Sequence, residues 1–336
     1  MLEHGGRLAA AAQAYNIPLA DWLDLSTGIN PHGWPVPDMP PEVWRRLPED
    51  SDGLTAAASA YYSTDCTPLP AAGSQPLIQA LPRLRSPCRV AMLTPAYAEH
   101  AYAWQRCGHQ VISTPADDLA QEKLSEEARR ADVLLLCNPN NPTGHVFPPS
   151  LLLEWLDALA ARGGWLVVDE AFMDATPGGS LASHAGRSGL VVLCSLGKFF
   201  GLAGARVGFA LTWDALRADL EEEIGPWPIG GPARWAALHA LCDTAWQAGM
   251  RKRLSAESQR LAALLSTHHL QPAGGSALFQ WCPTTEAEAV AATLARQGIL
   301  VRLFTQPHSL RFGLPGSEAE WQRLETALIH IGKSAP

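Results

Sequence analysis

The sequence carries no excess of basic charge. Its 25 lysines and arginines face 33 aspartates and glutamates, a formal charge of −8. That leaves no electrostatic footprint for nucleic acid. No apolar run reaches the length of a membrane span. The opening "MLEHGGRLAAAAQAY" has an early Glu and His where a secretory signal would have an apolar core. The seven cysteines are odd in number and include no CxxC pair. That suits free thiols in a reducing compartment better than a disulfide framework. The 27 prolines and 28 glycines are scattered, so they mark turns and not low complexity. No internal repeat is visible. These absences predict a globular, cytoplasmic protein with neither a membrane nor a nucleic acid as partner.

What is present is apolar surface to bury. The chain has 336 residues, 47% of them hydrophobic, more than one core usually holds, which predicts two domains. "RVAMLTP" (89–95), "DVLLLCNP" (132–139), "GWLVVDEAF" (164–172) and "LVVLCSL" (190–196) read as buried strands. Helical patterns lie between them, such as "SLLLEWLDALAARG" (150–163), closed by Gly163. The alternation predicts an α/β fold with a mainly parallel sheet covered by helices. Ligands of such sheets bind beyond the strands' C-terminal ends, where Asn138, Asp169 and Ser195 stand. After the Pro/Gly break "EEIGPWPIGGPARW" (222–235) comes a long helical region, 232–266. "GGSALFQWC", "TEAEAVAATLARQG", "ILVRLF" and "SLRFGL" then give a short α+β pattern, a second, smaller domain.

The stretch "SLGKFFGLAGARVGF" (195–209) sets Lys198 among small and aromatic residues, with Arg206 eight positions on. Desolvation lowers a lysine's pKa, and a neutral lysine can form a Schiff base. Alone, the stretch reads equally as a loop-edge lysine with its head in water. Three other pieces are also ambiguous alone. "NPNNPTG" (138–144) can be an ordinary turn. Asp169 of "DEAF" can cap a following helix. "AAGSQPLIQAL" (71–81) is a glycine turn opening a helix, whose free N–H groups can hold a phosphate. Arg206 adds a cation able to take a phosphate bidentately.

In this order the four pieces resemble the fold-type I pyridoxal-phosphate enzymes, the aspartate aminotransferase superfamily. The resemblance covers nearly the whole chain. It implies a large domain with a mainly parallel central sheet and a smaller α+β C-terminal domain. The implied limits are 1–47 for an N-terminal arm and part of the small domain, 48–225 for the large cofactor-binding domain, and 226–336 for an interdomain helix and the small domain. It implies pyridoxal 5'-phosphate as cofactor, no metal, and a homodimer. By matching position, Lys198 resembles the Schiff-base lysine and Asp169 the acid on the pyridine nitrogen. Asn141 resembles the asparagine on the ring hydroxyl. Ser74, Gln75, Ser195 and Arg206 resemble the phosphate cradle. Tyr97 of "TPAYAEH" resembles the ring-stacking aromatic, and alone it reads as core packing. Arg311 of "SLRFGL" resembles the arginine that binds substrate carboxylate. Three positions depart from the pattern: Phe172 where many relatives have tyrosine, Gly197 before the lysine where many have a hydroxyl, and Leu47 where relatives place a tyrosine that reaches the partner's phosphate.

Two further stretches narrow the branch. "EHGG" (3–6) followed by "LDLSTGINPHGWP" (23–35) resembles the threonine-phosphate decarboxylases of cobalamin biosynthesis, near relatives of the histidinol-phosphate aminotransferases. Alone, residues 3–6 read as a frayed terminus. The resemblance implies that His4, Gly5, Asn30 and Asn141 contact substrate, with Arg302 of "GILVRLF" as a second cation beside Arg311. Two buried arginines suit a substrate with two anionic ends, because an unpaired one is costly. The implied reaction is decarboxylation of L-threonine O-3-phosphate to (R)-1-aminopropan-2-ol O-phosphate. If the Cα–H bond and not the carboxylate stood perpendicular to the cofactor ring, the same parts would transaminate. A histidinol-phosphate-type aminotransferase and a non-catalytic scaffold of a cobalamin assembly therefore stand as alternatives.

Overall fold

The computed structural model describes residues 5–115 and 126–332, so His4 lies outside the described residues. The chain packs into two compact units. The smaller holds the residues up to His32, Pro142–His145 and those from Gly249 onward; the larger holds Gly33–Asn141 and Val146–Ala248.

In chain order, the smaller unit begins with a helix (Leu8–Tyr15) and β1 (Leu23–Asp24). The larger unit then lays down β2 (Leu69–Ala71), β3 (Arg89–Thr94), β4 (Gln110–Pro115), β5 (Val133–Cys137), β6 (Trp165–Asp169), β7 (Leu190–Ser195) and β8 (Gly208–Leu211). They form one seven-stranded sheet in the order β2-β8-β7-β6-β5-β3-β4. β3 pairs in parallel with β4 and β5, and β5, β6 and β7 follow in parallel. β8 runs antiparallel to β7 and β2. β5 to β8 are buried along their whole length, which is why their sequences are continuous apolar runs instead of alternating ones. On one face Val90, Met92, Val133, Leu135, Val167, Val191 and Leu193 pack with Leu77, Ile78, Leu81 and Trp104 in a single core.

The four strands read from sequence are all present, in a mostly parallel sheet. Helix Pro149–Ala160 stands where 150–163 reads as helical. Within the region 232–266 there are two helices, Gly231–Cys242 and Thr244–Thr267. Asp243 makes the break: its Oδ1 accepts the Trp246 N–H at 3.0 Å, and Gln247 Nε2 donates to the Ala240 and Leu241 carbonyls. The side chains offer the backbone an alternative to the helical ladder.

The unit limits, at Gly33 and Gly249, differ from the 47/48 and 225/226 of the sequence reading. Packing within the larger unit explains this. Helix Gly231–Cys242 lies on helix Leu54–Tyr62. Gly231 approaches Val43 so closely that a Cβ would stand 2.2 Å from its carbonyl. Buried Arg234 donates to Asp52 at 2.6 Å.

In the smaller unit β1 pairs in parallel with β11 (Ile299–Leu300). β9 (Gly274–Ser276), β10 (Phe279–Pro283), β12 (Arg302–Thr305) and β13 (His308–Gly313) form an antiparallel sheet in the order β12-β13-β10-β9. Helices Ala287–Arg296 and Glu318–Gly332 complete it.

Candidate active site

Asp169 ends β6, in register with Cys137 of β5 and Leu193 of β7. It is 5% exposed. One carboxylate oxygen accepts the Ala171 N–H at 3.0 Å, and the other lies 2.8 Å from His100 Nε2. A buried carboxylate needs such partners. Cys137 Sγ is close by: one donor atom from each of His100, Cys137 and Asp169 lies within 4.8 Å of the others. Burial, and then the Asp169 charge, push the Cys137 thiol far above the usual thiol range. The thiol therefore stays protonated and neutral.

Beside this acid is a corner built for an anion. Ala71 of β2 and Ser195 of β7 both pair with Gly208 of β8. The turn from β2 into helix Ser74–Ala80 thus lies next to Ser195. Gly73 (φ 79°) sits so close to the Arg206 guanidinium that a Cβ would meet Nη2 at 2.5 Å. Only glycine combines that φ with that approach. The first turn of the helix has no side-chain cap, and its N–H groups find no partner within the helix. Arg206 Nη1 donates to the Ala203 carbonyl at 3.1 Å. The Gln75 side chain is committed to Glu99 at 2.9 Å, so Gln75 offers the corner its backbone N–H.

Lys198 is half-buried. Its neighbours Phe199 and Phe200 are fully buried, the first edge-on and the second stacked against Trp246. The Phe200 carbonyl accepts the Trp34 N–H at 2.8 Å. Two anchored rings thus pin the loop and leave the lysine between core and surface. Its Nζ stands 5.4 Å from the centroid of Phe172, the ring that replaces a tyrosine. Gly197 donates its N–H to Ser195 Oγ at 3.3 Å.

Tyr97 precedes helix Ala98–Arg106 and meets His100 edge-on at 6.0 Å. Burial, with help from Glu99 and Asp169, raises its hydroxyl pKa to about 12. In the 138–144 loop, Asn138 is occupied by both backbone groups of Phe147, and Asn140 donates to the Pro95 carbonyl. The Asn141 N–H is directed at Cys137. The larger unit thus gathers Ser74, Gln75, Tyr97, Asn141, Asp169, Ser195, Lys198 and Arg206 at the same end of its sheet.

Gly5, Asn30, Arg302 and Arg311 belong to the smaller unit. Arg302 and Arg311 face each other across β12 and β13. Like charges directly opposite destabilise a sheet. Arg311 is buried; burial first, and Arg302 second, lower its pKa to about 9, with Asp24 opposing. Two cations thus stand side by side on this sheet. Asn30, also buried, accepts the His32 N–H through Oδ1 at 2.8 Å.

Three site features escape sequence reading. His100 lies one helical turn after Tyr97, a spacing that puts both on one face, but nothing local ties it to Asp169. Asp24 and Ser26, which meet Arg311, are separated from it by most of the chain. Glu170, next to Asp169, is buried. Its oxygens lie 2.7 Å from the Leu181 N–H and 2.5 Å from Ser180 Oγ. Burial raises its pKa from 4.5 to about 8, with Leu181 and Ser180 opposing. Between those pH values the folded chain keeps a proton that the unfolded chain has lost, so stability falls as pH rises through the window. Glu170→Gln, whose amide can serve both partners, should flatten that decline and raise Tm at pH 8 by a few degrees. Calorimetry at pH 5 and pH 8 checks this; equal slopes for the two proteins would refute it.

The sequence pattern of the family "Aminotransferase class I and II" matches residues 20–328. The chain is 55% identical to a threonine-phosphate decarboxylase of Pseudomonas aeruginosa over 335 residues, covering 100% of this chain and 99% of that one. It is 39% identical to a threonine-phosphate decarboxylase of Sinorhizobium sp., covering 98% of both chains. In fold it is similar to the crystal structure of L-threonine-O-3-phosphate decarboxylase from Porphyromonas gingivalis, with TM-score 0.77 and 19% identity over 92% of this chain and 99% of that one. The two-unit architecture, the mostly parallel sheet and the end-of-strand site are thus those of an aspartate-aminotransferase-like, fold-type I scaffold, and the chain belongs to the class I and II aminotransferase family.

Proposed function

We propose that this chain is a pyridoxal-phosphate-dependent carboxy-lyase that converts L-threonine O-3-phosphate to (R)-1-aminopropan-2-ol O-phosphate in cobalamin biosynthesis. The 55% identity to the Pseudomonas decarboxylase across the whole chain carries the reading.

The site residues fit the cofactor. The Gly73 turn gives the guanidinium of Arg206 room over the start of helix Ser74–Ala80, a cradle that a Cβ would fill. Bound there, pyridoxal 5'-phosphate supplies an aldehyde for the substrate amine and a protonated ring that takes up the electron pair of the broken Cα–carboxylate bond. In this reading Ser74 and Gln75 N–H groups, Ser195 and Arg206 hold its phosphate. Tyr97 covers the ring, and Asn141 binds its hydroxyl. Asp169 keeps a proton on the ring nitrogen, and His100 keeps Asp169 oriented. Lys198 would hold the aldehyde of the cofactor and would serve as the general acid that delivers a proton to Cα. His4, Gly5, Asn30 and Asn141 contact substrate. Arg302 and Arg311, opposite each other across β12 and β13, take its two anionic ends.

The test is product analysis: CO2 release from threonine phosphate, against amino transfer to 2-oxoglutarate. Amino transfer without CO2 would favour the histidinol-phosphate-type alternative. A protein that stays colourless with added pyridoxal phosphate would favour a scaffold. Removing residues 1–6, which precede the first helix, should leave cofactor binding and Tm nearly unchanged. It should raise KM for threonine phosphate far more than for an unphosphorylated analogue. An untouched KM would remove the arm from the site.

The proposed protein is a cytoplasmic homodimer. No helix among the described residues is long and apolar enough to cross a membrane. Exposed Val36, Trp44 and Leu47 offer apolar surface for a second copy, and sedimentation measures the state.

A further inference from the structure

We infer that Ser26 is a positioning residue that ties the N-terminal arm to Arg311, so that seating the arm orients the arginine for its anion. This rests on the functional reading above. Ser26 is 1% exposed, and each of its polar groups is engaged. The Gly6 N–H donates to Ser26 Oγ at 2.7 Å, and because a backbone N–H can only donate, the hydroxyl accepts there. The one hydroxyl proton goes to Asp24 Oδ1 at 2.6 Å, which also accepts the Ser26 N–H at 2.9 Å. The Ser26 carbonyl accepts from Arg311 Nη2 at 2.8 Å.

Gly5 reads the same group from the arm side. A Cβ there would stand 2.5 Å from the Ser26 carbonyl oxygen, the atom that receives Arg311. Arm, serine and arginine therefore share a contact with no slack. Asp24 acts twice, since it fixes the hydroxyl and also opposes the repulsion of Arg302 on Arg311. All of these residues lie in the smaller unit. Arg311 has Phe279 under its guanidinium at 4.9 Å, so its plane is held from one side by a ring and at one edge by Ser26. When the arm lifts, the hydroxyl loses its donor and the carbonyl loses the packing of Gly5. The Ser26 carbonyl that receives Arg311 is then held less firmly from the arm side.

A double-mutant cycle on the holoenzyme tests this, with CO2 release from threonine phosphate as the assay. Ser26→Ala keeps the carbonyl and deletes the hydroxyl. It should raise KM roughly fivefold, the worth of one hydrogen bond, with kcat within about twofold of wild type and Tm little changed. Removing residues 1–6 should raise KM by more. The two together should cost no more than the truncation alone, because the arm acts through Ser26. KM factors that multiply would overturn the inference. So would a Ser26→Ala protein that loses kcat and Tm along with KM, since the serine would then serve the fold. Gly5→Ala crowds the Ser26 carbonyl while leaving the serine itself unmutated, and should raise KM similarly; an unchanged KM counts against the link. Trypsin cleavage after Arg7 gives a readout independent of activity and should speed up several-fold in Ser26→Ala. If the wild type releases no CO2 from threonine phosphate, the functional reading fails, while the tryptic rate still decides whether Ser26 holds the arm.

Discussion

An Asp169→Asn variant keeps its fold and loses about 10²- to 10³-fold in kcat, the scale on which a single preorganised electrostatic group acts. The amide has the same shape, and its oxygen can still accept the Ala171 N–H. Its nitrogen can donate to His100 Nε2 in the tautomer in which that nitrogen accepts. What the amide lacks is the negative charge that keeps a proton on the ring nitrogen. The loss therefore falls on the bond-breaking step and not on binding, and KM should move much less than kcat. Single-turnover CO2 release measures the first and a Tm comparison checks the fold. A near-normal kcat would strip Asp169 of its proposed role.

Lys198→Ala has the larger effect: turnover falls by roughly 10³-fold or more, as when a covalent catalyst is removed. The chemical counterpart is direct. The sequence has four lysines, Lys123, Lys198, Lys252 and Lys333. Borohydride reduction of the holoenzyme followed by peptide mapping should place the cofactor on Lys198. Lys252 sits exposed on helix Thr244–Thr267, away from the loop that carries Lys198. A label on Lys252 or Lys123 would refute the assignment. In Lys198→Ala the label should vanish while the Phe199–Phe200–Trp246 cluster still anchors the loop.

The legible parts of this molecule were those where one physical effect dominates locally. β5, β6 and β7 are buried on both faces, so their apolar runs stand out, and the polar residues that end them mark the ligand side. Asn138, Asp169 and Ser195 follow from those ends, whereas the roles of Ser74, Gln75, Tyr97, Asn141, Lys198 and Arg206 came from the family resemblance. β4 was not legible because "QVISTP" mixes exposed and buried positions on a sheet edge. β8 hides in a Gly/Ala loop four residues long and reverses the sheet's direction. The break at Asp243 has neither proline nor glycine; it depends on side chains finding backbone groups. His100 on Asp169, and Ser26 beneath Arg311, join segments 69 and 285 residues apart. Spacing along the chain says nothing about such pairs until the fold has closed them.

The pairing of β1 with β11 also has a consequence for synthesis on the ribosome. Leu23 and Asp24 find their partners in Ile299 and Leu300, in parallel. The intervening chain takes roughly ten seconds to a minute to translate at ordinary elongation rates. Throughout that interval a segment emerging among the first of the chain has no strand to pair with. The larger unit, whose last residue is Ala248, can complete its sheet before then. Residues 23 and 24 are thus made early and secured late, and a nascent chain stalled short of residue 299 would carry a finished larger-unit sheet and an unpaired β1.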